Sequence, residues 1–180
     1  HGGCLSQATP TMAAEDPSKA FLKACNDGDL EKTTALVNDG IDIETKSMSN
    51  GTGAFFAAQN GHLEVLKYLS ERGANMEAAD FGGSTPLHES ARNGQLLTAQ
   101  WLMGLAEENP HGEEIDLFAK DEQGWTALHC AAARGHLDVV KLCKAKGYPK
   151  EETDVDGTTA AEWAETCGHN EILGYMRDDY

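Results

Sequence analysis

The sequence predicts an all-α repeat solenoid, in which helix–turn–helix units stack side by side and β-hairpin loops join them. Three observations predict this class. Glycines that close short apolar runs recur at intervals of 33, 33, 41 and 33 residues (Gly28, Gly61, Gly94, Gly135 and Gly168). Threonines that open these runs keep the same spacing (Thr52, Thr85, Thr126 and Thr159). Finally, no single unit has enough apolar residues to bury its own apolar face, so stacked neighbours must supply the core.

Each unit is predicted to begin with a short helix that its threonine caps. A threonine side chain at this position accepts hydrogen bonds from the free amide groups of the first turn. Pro86 follows Thr85 at the first helical position, where the missing N–H costs nothing. Small residues such as Ala131 and Ala132 follow and allow neighbouring helices to approach closely. The closing glycine ends the helix by adopting a left-handed backbone conformation.

A second helix is predicted directly after each glycine. The segments "HLEVLKYLSERG" (62–73) and "HLDVVKLCKAKG" (136–147) place apolar residues on one helical face. Polar Lys32, Thr33 and Asn170 replace apolar residues in the terminal units, as expected where no neighbour covers the end. The repeat divides the chain into a tail, 1–16, predicted to be disordered or a tag remnant, and a repeat domain, 17–180, with units at about 17–46, 47–79, 80–120, 121–153 and 154–180. The interval of 41 residues contains an acidic insertion near 105–114.

The chain resembles the ankyrin repeat family. The resemblance rests on "NGTGAFFAAQNGHLEVLKYLSERGAN" (50–75), "GSTPLHESARNG" (83–94) and "GWTALHCAAARGHLDVVKL" (124–142), and it covers about residues 17–180. It implies five stacked repeats, of which the first and last are degenerate caps. In the last repeat, Glu162 stands where His88 and His129 stand in earlier ones. The resemblance also implies that these histidines hydrogen-bond across a loop and connect neighbouring units.

The resemblance further implies a binding surface on the hairpin tips and the outward sides of the first helices, which together form a concave face. Carried onto this chain, it predicts the partner contacts Met48, Ser49, Gln59, Asn60, Phe81, Ser84, Arg92, Asn93, Glu122, Gln123, Trp125, Arg134, Val155 and Asp156. Met48, Phe81 and Trp125 are large apolar residues at positions predicted to face solvent, which is typical of an interaction hot spot. Alternatively, Phe81 and Trp125 pack on the adjacent hairpin and hold it in place.

The stretch 83–94 also contains Ser84, His88 and Glu89, residue types that serve in nucleophilic catalysis. A catalytic triad needs a strained nucleophile turn and an oxyanion hole, and the motif G-x-S-x-G is absent from the sequence. Since Thr126 and His129 repeat part of this arrangement, a structural role is expected. The five cysteines include no C-x-x-C pair, which argues against a disulfide framework or a zinc module. We therefore expect no catalytic site, no cofactor and no metal.

The net charge of −16 indicates which partners the chain attracts. It disfavours nucleic acid and anionic membranes and favours basic proteins, although simple solubility also explains it. No apolar run approaches the roughly 20 residues that span a bilayer, and unpaired cysteines fit a reducing compartment. We expect a monomeric, non-enzymatic module that binds another protein in the cytoplasm or the nucleus. The alternatives are an acidic escort for a basic client of the histone or ribosomal type, an enzyme or its regulatory part, and a purely structural spacer.

Overall fold

The computed structural model describes residues 16–108 and 115–178, and over these residues ten helices form five pairs. They are α1 (Pro17–Asp27) and α2 (Leu30–Asn38), α3 (Gly53–Asn60) and α4 (Leu63–Glu71), α5 (Pro86–Arg92) and α6 (Leu96–Glu108), α7 (Ala127–Arg134) and α8 (Leu137–Ala145), and α9 (Ala160–Thr166) and α10 (Asn170–Asp178). The predicted tail, up to residue 15, and most of the predicted insertion lie outside the described residues. Asp16 caps α1 by accepting the amide of Ser18.

The helices form two layers, which confirms the predicted repeat solenoid. The first helices α1, α3, α5, α7 and α9 pack one on the next, while α2 packs on α4 and both α6 and α10 pack on α8. One buried apolar cluster runs through all five pairs and includes Phe21, Leu66, Leu102, Leu128 and Ile172, one residue from each. Each pair therefore completes its core with the pair beside it.

The threonine and glycine signals mark the ends of the first helices, as predicted. Thr52 Oγ1 accepts the amide of Phe55, and Thr85, Thr126 and Thr159 cap their helices at the same position. At the other end, Gly61 has a φ of 77°, which allows the amide of His62 to reach the carbonyl of Ala57 at 2.8 Å. This return bond satisfies a carbonyl that the end of the helix would otherwise leave free.

The second helix of the third unit is longer than its counterparts. α6 has 13 residues, whereas α4 and α8 have nine each. The extra residues of the 41-residue interval thus begin by extending helix α6. The acidic residues Glu113 and Glu114 of the predicted insertion lie outside the described residues.

The polar residues of the first unit differ in their exposure. Lys32 is exposed, as expected for an end that no neighbour covers, but Thr33 is fully buried. Its hydroxyl donates to the carbonyl of Asp29 at 2.7 Å. The expectation that Thr33 faces solvent is wrong because a threonine that is hydrogen-bonded within its own helix can be buried at little cost.

Candidate functional site

The hairpin loops line up in a row along one edge of the stack. Backbone hydrogen bonds of 3.0 Å join successive loops, from the amides of Phe81, Glu122 and Val155 to the carbonyls of Ser49, Gly82 and Gln123. Within a loop the structure has tight turns and isolated antiparallel bridges, such as Lys46 with Thr52, rather than long strands among the described residues. Met48, Phe81, Glu122 and Val155 hold the same position in successive loops, and we refer to these four residues as the tip row.

Each loop is held by an anchor side chain that the sequence reasoning missed. The anchors are Ser47, Asp80, Asp121 and Asp154, at the intervals of 33, 41 and 33 that the threonines also follow. The Asp121 carboxylate accepts the amides of Gln123 at 3.0 Å and Trp125 at 2.8 Å. Desolvation disfavours ionisation of Asp154, but its hydrogen bonds from Thr158 and Trp163 hold its pKa below the usual value. An aspartate repeated at the period of the array was the signal that could have revealed these anchors.

Most of the predicted contact residues are accessible. Met48 is 99% exposed, Val155 70% and Phe81 69%. Ser49, Asn60, Asn93, Glu122, Gln123, Arg134 and Asp156 are also exposed, whereas Gln59, Arg92 and Trp125 are half-buried. Ser84 is buried, and its hydroxyl accepts a hydrogen bond from Arg92 Nη2 at 3.2 Å. Ser84 therefore supports Arg92 and does not present a surface to a partner, which corrects its place in the predicted contact set.

Trp125 does not face solvent freely, and this corrects a second expectation. Its ring packs on Trp163 of the next unit, with centroids 4.9 Å apart and planes inclined by 56°. Trp163 Nε1 in turn donates to the Asp154 carboxylate at 2.8 Å. The alternative prediction is that Phe81 and Trp125 pack on the adjacent hairpin, but Trp125 packs on helix α9 instead, and Phe81 remains exposed. Trp125 and Val155 still line a depression of about 340 Å³ between the loops and the first helices, which we refer to as the groove.

Arg92 lies at the centre of a polar network beside the groove. Its guanidinium is 3.3 Å from the Glu89 carboxylate and 3.5 Å from that of Asp121, and both carboxylates are almost fully buried. Glu89 also accepts hydrogen bonds from Gln59 at 2.9 Å and from the side chain of Asn93. The network connects α3, α5 and the loop before α7, so the side chains that border the groove hold one another in place.

The histidine of the repeat motif is part of the scaffold. His88 Nε2 donates to the Trp125 carbonyl of the next unit at 2.9 Å, and its Nδ1 accepts from the amide and the hydroxyl of Thr85. Desolvation by burial lowers the pKa of both His88 and His129, which keeps the rings neutral. Since both nitrogens of His88 are engaged, the ring has none left to act as a base for Ser84. The cross-loop hydrogen bond that the resemblance implies is present at His88, whereas Nε2 of His129 is buried without a hydrogen-bond partner among the described residues.

A second set of hydrogen-bond contacts joins neighbouring units, beside the glycines that end the first helices. Nε2 of His62, His136 and His169 lies 2.9 to 3.1 Å from a backbone carbonyl of the preceding unit. Gln95 makes the equivalent contact at 3.3 Å. Each of these side chains lies directly over the glycine of the preceding unit, so that a Cβ on Gly94 would be 2.4 Å from His136 Nδ1. The glycines are therefore needed both for their backbone conformation and for the close approach of the next unit.

Three of the cysteines are buried, and the acids do not converge with other metal-ligating side chains, in the part of the chain that the structure describes. Cys25, Cys130 and Cys143 are buried free thiols, and desolvation raises the pKa of Cys130 to about 11 although Arg92 opposes this. A thiol with so high a pKa is a poor nucleophile near neutral pH. Over residues 16–108 and 115–178, no three His, Cys, Asp or Glu side chains converge on a point that could hold a metal ion. Every helix in those ranges is too short or too polar to traverse a bilayer.

Comparison with known proteins agrees with this architecture. The family model for ankyrin repeats (3 copies) matches residues 21–116 and 105–179. A probable 26S proteasome regulatory subunit p28 of Saccharomyces cerevisiae is 31% identical over 142 residues, which are 78% of this chain and 59% of that protein. The putative palmitoyltransferase ZDHHC13 of Danio rerio is 30% identical over 142 residues, or 77% of this chain and 20% of that protein.

A third relative is the ankyrin repeat and SOCS box protein 3 of Homo sapiens, which is 31% identical over 103 residues. The match covers 57% of this chain and 19% of that protein. This chain thus spans about a fifth of the length of the palmitoyltransferase and SOCS box relatives.

Proposed function

The chain belongs to the ankyrin repeat family, whose repeats generally mediate protein–protein interactions, and we propose that it is a non-enzymatic module that binds a partner protein or peptide along the tip row and groove. The exposure of Met48, Phe81 and Val155 carries this proposal. Three large apolar side chains stand on loops that are hydrogen-bonded to one another. A loop backbone that is already held in place loses little conformational entropy when a partner binds.

The proposed contact surface differs in two places from the set that the sequence predicts. Ser84 is left out because it is buried, and Trp125 contributes only the part of its ring that borders the groove. The exposed apolar members of the tip row are the candidates for the largest contributions, since truncating a well-placed aromatic contact costs about 2 kcal/mol of binding free energy. Phe81 is therefore a better probe of binding than Trp125, whose truncation would also remove its packing on Trp163.

The experiment compares a tip variant with a matched surface variant. The tip variant carries Met48→Ser, Phe81→Ser and Val155→Ser, and the control carries Leu97→Ser, which removes an apolar residue that is 68% exposed on α6. Both variants and the parent chain are used to capture partners from a lysate of the source cells, with quantification by mass spectrometry. We expect the tip variant to lose at least tenfold of each specific partner, while the control and both thermal unfolding curves stay close to the parent. Equal recovery with the tip variant would contradict the proposal.

A second candidate function is the escort of a basic client, such as a histone or a ribosomal protein. The observation that favours it is the charge of residues 151–180, which include nine acidic residues and one basic residue. Binding to purified core histones should then weaken steeply as salt rises from 50 to 300 mM, because exposed charges are screened within roughly 10 Å at 0.1 M salt. Binding that does not change with salt, or no binding at low salt, would exclude this candidate.

We also propose that residues 17–180 act as one five-unit domain in a reducing compartment, either the cytoplasm or the nucleus. The continuous core and the free thiols Cys25, Cys130 and Cys143 support this placement. Removal of residues 1–15 should leave the thermal unfolding midpoint and partner capture unchanged, and a fluorescent fusion should lie in one of these two compartments. Loss of capture on removal of the tail would contradict the domain limits.

A further inference from the structure

The two halves of the tip row differ in charge. Residues 46–52 and 79–85 contain only two charged residues, Lys46 and Asp80, and the Asp80 carboxylate is already engaged by the amides of Gly82 and Ser84. Helix α3, which follows the first of these loops, contains no charged residue. This half therefore presents the exposed side chains of Met48 and Phe81 on an almost neutral surface.

The two loops that carry the other half of the tip row, 120–126 and 153–159, are acidic, since they contain four acidic residues and one base, Lys120. Glu122 and Asp156 are exposed on successive loops, and neither carboxylate forms an ion pair with a described residue. Two bases border the groove in this half, Arg92 and Arg134. The charge of Arg92 is already offset by the buried carboxylates of Glu89 and Asp121, so Arg134 is the remaining cation against these two exposed acids.

The groove combines the carboxylates of Asp154 and Asp156 with aromatic surface. Trp125, Trp163 and Val155 line it together with Asp156. The aliphatic part of a lysine or arginine side chain packs well on such a surface, while its cationic end is attracted both to an aromatic face and to a carboxylate. The net charge of −16 adds a long-range attraction for the same kind of ligand.

We propose that the natural ligand is a bipartite segment, with large apolar side chains at one end that contact Met48 and Phe81 and with lysine or arginine at the other end that enters the groove beside Trp125 and Asp156. This inference rests on the proposed function and specifies the chemistry of the partner. Packed helices lie about 8–10 Å apart, so the two contact regions, which are two units apart, are separated by about 16–20 Å. An extended chain covers that distance in about five or six residues.

The test uses a phage-displayed library of random 12-residue peptides, selected on the full chain at 0.1 M salt. We expect the enriched peptides to share one or two large apolar residues and at least one lysine or arginine about five or six positions away. The affinity of synthetic copies of these peptides is then measured by fluorescence anisotropy for three variants. The first is the double variant with Glu122→Lys and Asp156→Lys, the second is Phe81→Ser, and the third is Arg134→Ala.

The first two variants should each weaken binding at least tenfold, and Arg134→Ala should strengthen it severalfold because it removes the competing cation. The matched control is Asp39→Lys with Glu71→Lys, which makes the same change in net charge at exposed ends of the second helices α2 and α4. It should change the affinity less than threefold. An equal loss in this control would mean that only the overall charge matters, which would overturn the inference.

The remaining outcomes separate this inference from the proposed function. Enriched peptides that are acidic or uncharged, and that lose binding with Phe81→Ser, would overturn the bipartite ligand and leave the tip row as a binding surface. Peptides that bind all variants equally would overturn both. An absence of any enriched sequence would overturn the bipartite ligand, while the capture experiment with the tip variant would still decide the proposed function.

Discussion

Gly94 offers a test of how each unit packs on the next, because a methyl group has no room there. Gly94 has a φ of 68°, and a Cβ at this position would lie 2.4 Å from His136 Nδ1. The substitution Gly94→Ala must therefore place a side chain in a left-handed conformation and also move the imidazole. Movement of the imidazole breaks its contact with the carbonyl of Arg92, which is 3.0 Å from Nε2.

Three contributions set the size of this effect. The left-handed conformation costs about 1–2 kcal/mol for a residue with a Cβ, and a lost hydrogen bond costs about 1 kcal/mol. Displacement of a packed ring costs about 1–3 kcal/mol. Gly94→Ala should therefore reduce the free energy of unfolding by about 3–6 kcal/mol. Gly73 is the matched control, since its φ is 81° but nothing lies within 4 Å of its Cβ position, and Gly73→Ala should cost only about 1–2 kcal/mol.

The assay is urea unfolding followed by far-UV circular dichroism for the parent chain and both alanine variants. Two further proteins, His136→Ala with and without Gly94→Ala, complete the comparison. Without the imidazole, the alanine at position 94 should cost about as much as Gly73→Ala, because the collision is gone and only the backbone contribution remains. Equal costs for Gly94→Ala and Gly73→Ala in the parent chain would refute the reasoning.

Three further predictions concern the buried polar groups and thiols. Arg92→Met should lower the free energy of unfolding by about 3 kcal/mol, because two buried carboxylates lose their counter-charge; an unchanged urea midpoint would contradict this. Burial lowers the pKa of His88 and His129, so the unfolded chain takes up protons near pH 6.5 that the folded chain does not. Stability should therefore fall between pH 7 and pH 5 by up to about 1.4 kcal/mol per pH unit for each histidine, and the slope should flatten when both are replaced by glutamine. In a Cys4→Ser background, Ellman's reagent should react quickly with exposed Cys167 alone, whereas burial protects thiols such as that of Cys130 until the chain unfolds; rapid reaction of all thiols would contradict their burial.

The fold could be predicted from the sequence because its determinants are local and are repeated. A threonine cap such as Thr52 and a left-handed glycine such as Gly61 act within one turn of a helix, and copies at a regular interval identify the array. The anchors Asp80, Asp121 and Asp154 follow the same intervals and were open to the same reasoning.

The exposure of individual side chains in the candidate site was harder to predict. The repeat position of Trp125 indicates solvent exposure, but this position says nothing about the ring of Trp163 in the next unit, on which Trp125 packs. Ser84 is likewise buried because Arg92 reaches over it toward Asp121. These contacts join residues that are 8 to 38 positions apart, within one unit or in neighbouring units, and they depend on which side chains face each other. Periodicity locates such positions without determining how they pack.

Mapping of the bound surface by nuclear magnetic resonance would decide whether the tip row and groove carry the function. Amide shifts of the ¹⁵N-labelled chain would be followed during titration with a peptide or protein that it captures. We predict that the largest changes fall in residues 47–51, 80–84, 121–125 and 154–158. Changes concentrated on the second helices α4 and α8, with these four loops unaffected, would contradict the account.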